Sequence, residues 1–388
     1  MITAYKKVKD RITSIDLLKL FSMVFICVTH CLQRWATGDY VSTIGFSIFY
    51  SVSLAFFFFS GGFLIKRTSS LKELLIYIVK TIILYLVPAY FFSCLSIWTL
   101  PRFTLLNKDF AYWMNELYLR TDTFYWYFLV AAFINIFIAV SYYIFSFIKK
   151  TSLVSDILKA FFITGLSVGY LMIFRYIYIT EELGPGCLSA NMVLYYFPIS
   201  LLAFLFRTFK SYFIKLPRIN IIKAVVGVMC LAIYVPILVF YKNWLPGLSL
   251  SFGIILWHWC GSVCGTIAYF YLFSIIGRYS LIRKISALGS FSGPFYLVHV
   301  YIIRLFASYI SRPAVFDGPA ISFVTFLTII FTVGSFAITA LLCFIPYTDF
   351  FLFLNYKRIR NMLFPREWIS VHFFKENIHK IENPKNQT

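Results

Sequence analysis

Polar positions in this chain fall into short clusters that separate long apolar runs. Ten runs stand out, at about 16–34, 44–65, 74–99, 124–148, 156–178, 187–206, 221–241, 249–276, 287–309 and 320–346. A bilayer core about 30 Å thick is crossed by roughly 20 apolar residues in a helix rising 1.5 Å per residue. Each run is long enough to cross, and the longest cross with a tilt. The pattern therefore predicts an all-α polytopic membrane protein with about ten transmembrane helices. Pro88, Pro198, Pro236 and Pro294 fall in or near the runs and are expected to kink or end helices there.

The polar clusters between the runs then set an orientation. Put the N-terminus in the cytoplasm, and most of the 35 Lys and Arg residues fall on the cytoplasmic side. They lie before the first run (Lys6, Lys7, Lys9, Arg11), at 66–80 (Lys66, Arg67, Lys72, Lys80), at 149–159, at 207–223, at 278–284 and in the tail. The other side holds few, among them Arg34, Arg102, Arg120, Arg175, Lys242, Arg304 and Arg312. Basic residues favour cytoplasmic loops, so both termini are expected in the cytoplasm, and an odd number of spans would put the basic tail outside. Residues 1–346 then form the transmembrane domain, and 347–388 a basic cytoplasmic tail. The tail stretch "NYKRIRNMLFPREWISVHFFK" is basic and aromatic and is expected on the inner leaflet. The first run follows a basic N-terminus without a small-x-small cleavage site, so it is expected to stay as the first transmembrane helix.

Composition narrows the class. Of 388 residues 61% are hydrophobic and only 13% charged, and mean hydropathy is +0.82. A net charge of +20 follows from the positive-inside rule; the aromatics do not alternate with Lys and Arg in a basic groove, so nucleic acid is not an expected partner. The eight cysteines mostly sit in apolar runs and read as membrane-buried thiols, without a metal.

Candidate chemistry begins in "SIDLLKLFSMVFICVTH", Ser14 to His30, a membrane span that keeps Asp16, Lys19 and His30. Eleven helical steps bring His30 back over Lys19, about 16 Å along the axis. Asp16 precedes Lys19 by three residues and is its natural ion partner; a Lys there can also snorkel and an Asp cap. His30 lies past the midplane, where an ionisable group faces the bundle interior or a hydrated cavity. In "FFFFSGGFLIKR", Ser60, Gly61 and Gly62 allow close helix approach, and Lys66 and Arg67 follow. "DTFYWYFLVAAF" opens the fourth run and "SFSGPFYLVH" leads into the ninth.

Together these stretches resemble the membrane acyltransferase-3 family. Its first helix reads Asp-x-x-Arg, ten residues, then His; here Asp16, Lys19 and His30 stand at that spacing, with Lys in place of Arg. Its second-span Phe-Phe-x-x-Ser-Gly with a following basic residue is similar to Phe57, Phe58, Ser60, Gly61 and Arg67. Its Trp-aromatic-Leu element resembles Trp126, Tyr127 and Phe128, with Leu129 one place late. Its Tyr-Leu-x-His resembles Tyr296, Leu297 and His299.

The resemblance implies acyl transfer, acetyl above all, from cytoplasmic acyl-CoA as co-substrate to a hydroxyl of an extracytoplasmic polysaccharide, lipopolysaccharide or lipid-linked saccharide. The setting would be the lipids of a bacterial inner membrane, with no bound cofactor. Lys19, Lys66, Arg67 and Lys72 are then candidates for the donor's phosphates. His30 is the candidate base or covalent acyl carrier. Ser60 and the backbone at Gly61 are candidates for an oxyanion. His299 is a second polar group in the cavity or a structural hydrogen bonder; Trp126 and Tyr127 stack on sugar or position helix ends. Arg175, Glu181 and Glu182 are candidate acceptor contacts. His258 is expected to be structural, and His372 and His379 solvated. The competing readings are a flippase for lipid-linked sugars and a glycan polymerase; inverted repeats and a long outer loop, their respective marks, are not apparent in the sequence.

Overall fold

A computed structural model describes residues 12–36, 43–99, 125–148, 153–180, 190–213, 219–240, 252–311, 313, 318–345 and 352. Among these the regular structure is helical. In chain order the helices are α1 (Thr13–Trp35), α2 (Ile44–Leu64), α3 (Leu71–Thr99), α4 (Trp126–Ile144), α5 (Leu153–Thr180), α6 (Ala190–Phe213), α7 (Ile219–Phe240), α8 (Phe252–Ile276), α9 (Ser280–Ser286), α10 (Ser292–Ala307) and α11 (Gly318–Phe344). Ten helical stretches are long and apolar enough to cross a membrane, with α9 and α10 joined as one, Ser280–Ala307. The outer loop near 100–123, Glu181, Glu182 and the tail beyond 352 lie outside the described residues.

The crossings follow the apolar runs to within a few residues, except the ninth. There the helix starts earlier, at Ser280, and is broken by a 3₁₀ stretch, Ala287–Phe291. Gly289 in that break lies against the backbone of α1: an added Cβ would stand 2.9 Å from the carbonyl carbon of Asp16. Pro294 falls in the first turn of α10, where a missing N–H costs nothing. Pro88, Pro198 and Pro236, by contrast, lie inside helices that run on through them. In a membrane, neighbouring helices and hydroxyls re-satisfy the backbone a proline frees, so proline does not end a span there as it would in water.

α1 and α2 form the centre. Their apolar windows are 67% and 72% buried, against 17% for α5 and for α7. Lipid gives little hydrophobic drive to bring helices together, so close packing and interhelical hydrogen bonds must do it. The contacts have that character. Ser22 Oγ of α1 donates to the Ser53 carbonyl of α2. Ser262 Oγ of α8 donates to the Ser51 carbonyl at 2.7 Å, and Ser51 Oγ meets the Tyr234 hydroxyl of α7 at 2.7 Å. Ser200 Oγ of α6 donates to the Phe58 carbonyl at 2.9 Å. At that crossing a Cβ on Gly62 would stand 2.6 Å from Ser200 Cα, while Gly61 meets nothing within 4 Å. The close approach read from the Ser-Gly-Gly sequence therefore belongs to Gly62 alone of the two glycines, because one helical step turns Gly61 about 100° away.

Successive crossings alternate in direction, which gathers like charges. Lys66, Arg67, Arg207, Lys210, Lys223, Arg283 and Lys284 share one end of the bundle; Arg34, Arg175 and Arg304 lie toward the other.

Candidate active site

A polar cavity of about 280 Å³ opens toward the less basic end. The last turns of α1 supply Thr29, His30, Gln33 and Arg34. α2 supplies Tyr50 and Ser53, α4 Trp126, and α10 Tyr296 and Arg304. Trp35, one turn above His30, fixes this end of α1: its Nε1 donates to the Ile310 carbonyl at 3.2 Å, and its ring stacks on Phe331 of α11 at 5.3 Å.

His30 is half-buried and His299 fully buried. Their rings lie 5.6 Å apart, so α1 and α10 bring two imidazoles to one place. His30 Nδ1 lies 3.0 Å from Gln33 Oε1. An amide oxygen only accepts, so in the neutral ring this contact puts the proton on Nδ1 and leaves Nε2 its lone pair. His299 Nδ1 lies 3.0 Å from the Phe295 carbonyl. By the same reasoning His299 Nε2 is also an acceptor, and it has no hydrogen-bond partner among the described residues. His30 lines the cavity, whereas His299 is fully buried and is not among its lining residues. His30 Nε2 can therefore accept a proton from a hydroxyl, and the guanidiniums of Arg34 and Arg304 beside it can stabilise developing negative charge.

Beneath the cavity, aromatic rings from the other motifs converge. Tyr127 packs on Phe57, Phe58 and Tyr296 at 5.4, 5.1 and 4.8 Å. Tyr296 meets His299 at 5.2 Å. Trp126 stacks on Tyr196 at 6.0 Å, and Tyr196 on Phe58 at 4.6 Å. Trp126 thus reaches the cavity, whereas Tyr127 is buried in the aromatic floor.

The remaining candidates lie elsewhere. Lys19, half-buried, Asp16, buried, and Ser60 and Gly61 are not among the residues lining this cavity. Lys66 and Arg67 stand at the opposite end. Lys66 pairs with Glu73 at 3.6 Å in an exposed contact. Arg67 is exposed, next to Arg207, whose Nη1 donates to the Phe63 and Ile65 carbonyls at 2.9 and 3.1 Å. Arg207, which the sequence presents only as a loop charge, thereby caps the C-terminal end of α2. Arg175 is exposed on α5. His258 packs in the bundle against the rings of Tyr195 and Tyr196, at 4.6 and 5.8 Å. The described cysteines are free, and no group of three or more metal-binding side chains occurs among the described residues.

Gln33 is the residue the sequence reading missed. The signal was its place three residues after His30, one helical turn away on the same face. A hydrogen bond of this kind contributes about 0.5–1.5 kcal/mol, equivalent to about 2- to 10-fold in rate. Gln33→Leu should lower turnover by about that factor, and Gln33→Glu, which keeps an acceptor oxygen, should restore it. Equal rates in wild type and Gln33→Leu would show that the contact does not orient the ring.

An all-helical body with ten membrane-length helices, a basic end, and a polar pocket lined by His30 near the other defines a polytopic membrane protein. Residues 12–347 match the family model of the acyltransferase-3 Acyltransferase domain, and the chain belongs to that family of membrane acyltransferases. Comparison with curated proteins and with solved structures gave no match.

Proposed function

We propose that the protein is a membrane O-acyltransferase that moves an acyl group, acetyl above all, from cytoplasmic acyl-CoA to a hydroxyl of an extracytoplasmic glycan. The observation that carries this reading is His30 in a polar cavity, with Nδ1–H held by Gln33 and His299 alongside. The membrane is the bacterial inner membrane, and the basic end of the bundle faces the cytoplasm, as the positive-inside rule requires.

A sugar hydroxyl is a weak nucleophile at neutral pH. In the direct route His30 Nε2 takes its proton as the oxygen attacks the thioester carbonyl. The tetrahedral oxyanion forms near Arg34 and Arg304, the C–S bond breaks, and the coenzyme A thiolate leaves and is protonated. In the covalent route His30 Nε2 attacks the thioester carbonyl, the C–S bond breaks and the coenzyme A thiolate leaves and is protonated; the sugar oxygen then attacks the acyl-imidazole, the C–N bond breaks, and the hydroxyl proton passes to the Nε2 so released. Either route places oxyanion stabilisation on the two arginines rather than on Ser60 and Gly61, which do not line the cavity. Lys19, Lys66 and Arg67 hold the donor's phosphates at or toward the basic end, and the donor reaches about 16 Å along α1 from Lys19 to His30. Trp126, on the cavity wall, offers a face on which a sugar can stack. Family membership favours acyl transfer over transport of a lipid-linked sugar.

The test is reconstitution in proteoliposomes with acetyl-labelled coenzyme A on the basic-end side and glycan on the other. Label on the glycan supports the reading. Intact acceptor without label, in vesicles whose protein is folded, overturns it.

A further inference from the structure

A second cavity, about 390 Å³, lies at the basic end. Its volume is in the range of ligand pockets, roughly 300–1,000 Å³. Phe59 and Phe63 of α2 form part of its floor, and Leu202 and Phe206 of α6 and Val226 of α7 its walls. The gap exists because α6 packs chiefly on α2 and α5, whereas α7 packs chiefly on α8. These two helices are consecutive in the chain yet stand apart.

Three features define what fits. The lining is mostly apolar. The cavity also opens beside a lipid-facing surface: Ile221, Val225 and Val228 of α7 are 51–66% exposed, which in a transmembrane helix means exposed to acyl chains. Finally, its charged members are Lys210, the last residue of the sixth crossing, and Lys223, at the start of the seventh. Both ammonium groups sit where hydrocarbon gives way to polar headgroups, the level to which lysines snorkel. Among the described residues neither has an ion-pair partner.

We propose that this groove is a binding site for an anionic phospholipid, with an acyl chain between α6 and α7 and its phosphate held by Lys210 and Lys223. An apolar slot alone would accept any lipid tail. Two cations at its polar rim select a net negative headgroup, each contributing attraction of the size known for basic residues at a membrane surface. The site is separate from the cavity around His30: Ser14 at the groove and His30 are on one helix, about 24 Å apart. The proposal stands whether or not the acyl-transfer reading does.

The full-length protein in phosphatidylcholine nanodiscs is titrated with phosphatidylglycerol, and retained lipid is counted by native mass spectrometry. Wild type should retain phosphatidylglycerol in preference to phosphatidylcholine. Lys210→Gln with Lys223→Gln should weaken that retention about 25-fold. Val226→Trp keeps both charges but fills the groove, and should lose the retained lipid too; it decides the matter where the lysine variant fails to fold. Equal retention in wild type and variants, or no preference for the anionic lipid, overturns the proposal. So does displacement of the lipid by added coenzyme A, which would assign the groove to the acyl donor.

Discussion

His30→Ala lowers acyl transfer to the glycan by about 10²- to 10⁴-fold, the range lost with a general base, while the folded protein persists in the membrane. The expected effect is large because two conditions meet at one atom. Imidazole is the side chain that titrates nearest to neutral pH, and its proton here is committed to Gln33 on Nδ1, leaving Nε2 for the hydroxyl. The persistence of the fold is expected because the ring lines an open polar cavity and, among the described residues, its hydrogen bond is to Gln33 of its own helix. Rates are measured with purified protein and labelled acyl-CoA, and folding by size-exclusion profile. A covalent route adds a sharper sign: acyl-imidazole accumulates in wild type when acceptor is withheld, and is absent in His30→Ala. Wild-type turnover in the alanine variant would remove His30 from the chemistry and leave the cavity a solvated packing defect.

Most of the architecture was legible in the sequence because the bilayer is a severe solvent. It demands about 20 apolar residues per crossing and every backbone group satisfied within the helix, so hydropathy alone marks the spans. Of the two outcomes expected at the prolines, a kink or an end, Pro88, Pro198 and Pro236 do not give the second, for the same physical reason: a helix in lipid is harder to end than one in water. The ninth crossing was misplaced because its break depends on Gly289 meeting α1, which no local pattern states. The site was partly legible. Helical position singled out His30 of α1, and the motif resemblance named Tyr296 and Trp126, which line the same cavity, and His299, whose ring lies 5.6 Å from that of His30; Lys19, on the same stripe of α1, does not line it. Alternating span direction already placed Arg34 and Arg304 at one end. What spacing cannot supply is rotation. Whether Trp126 or Tyr127 reaches the cavity, and whether Ser60 lines it, depends on how α2, α4 and α6 turn about their axes. Only the packed structure fixes that.

The same dependence on rotation gives adjacent glycines opposite responses. Gly62→Ala is expected to destabilise the protein by about 1–3 kcal/mol, the cost of overpacking a filled interface, and Gly62→Leu to prevent folded protein from accumulating. The reason is the nature of the obstacle. An added methyl would lie 2.6 Å from Ser200 Cα and 2.7 Å from its carbonyl carbon, and backbone cannot rotate aside as a side chain can. α2 and α6 would have to separate, stretching the Ser200–Phe58 hydrogen bond and the stacking of Phe58 on Tyr196, which supports Trp126 at the cavity. Gly61→Ala meets nothing within 4 Å and trades a flexible residue for a good helix former, worth roughly 0.5–1 kcal/mol in a helix interior. Its melting temperature should hold or rise while that of Gly62→Ala falls, both read by thermal unfolding in detergent. Because the α2–α6 contact also carries the aromatic floor, the surviving fraction of Gly62→Ala should show reduced transfer. Equal melting temperatures for the two alanine variants would mean that α2 and α6 do not cross at Gly62, and the placement of Trp126 on the wall of the His30 cavity would lose its support.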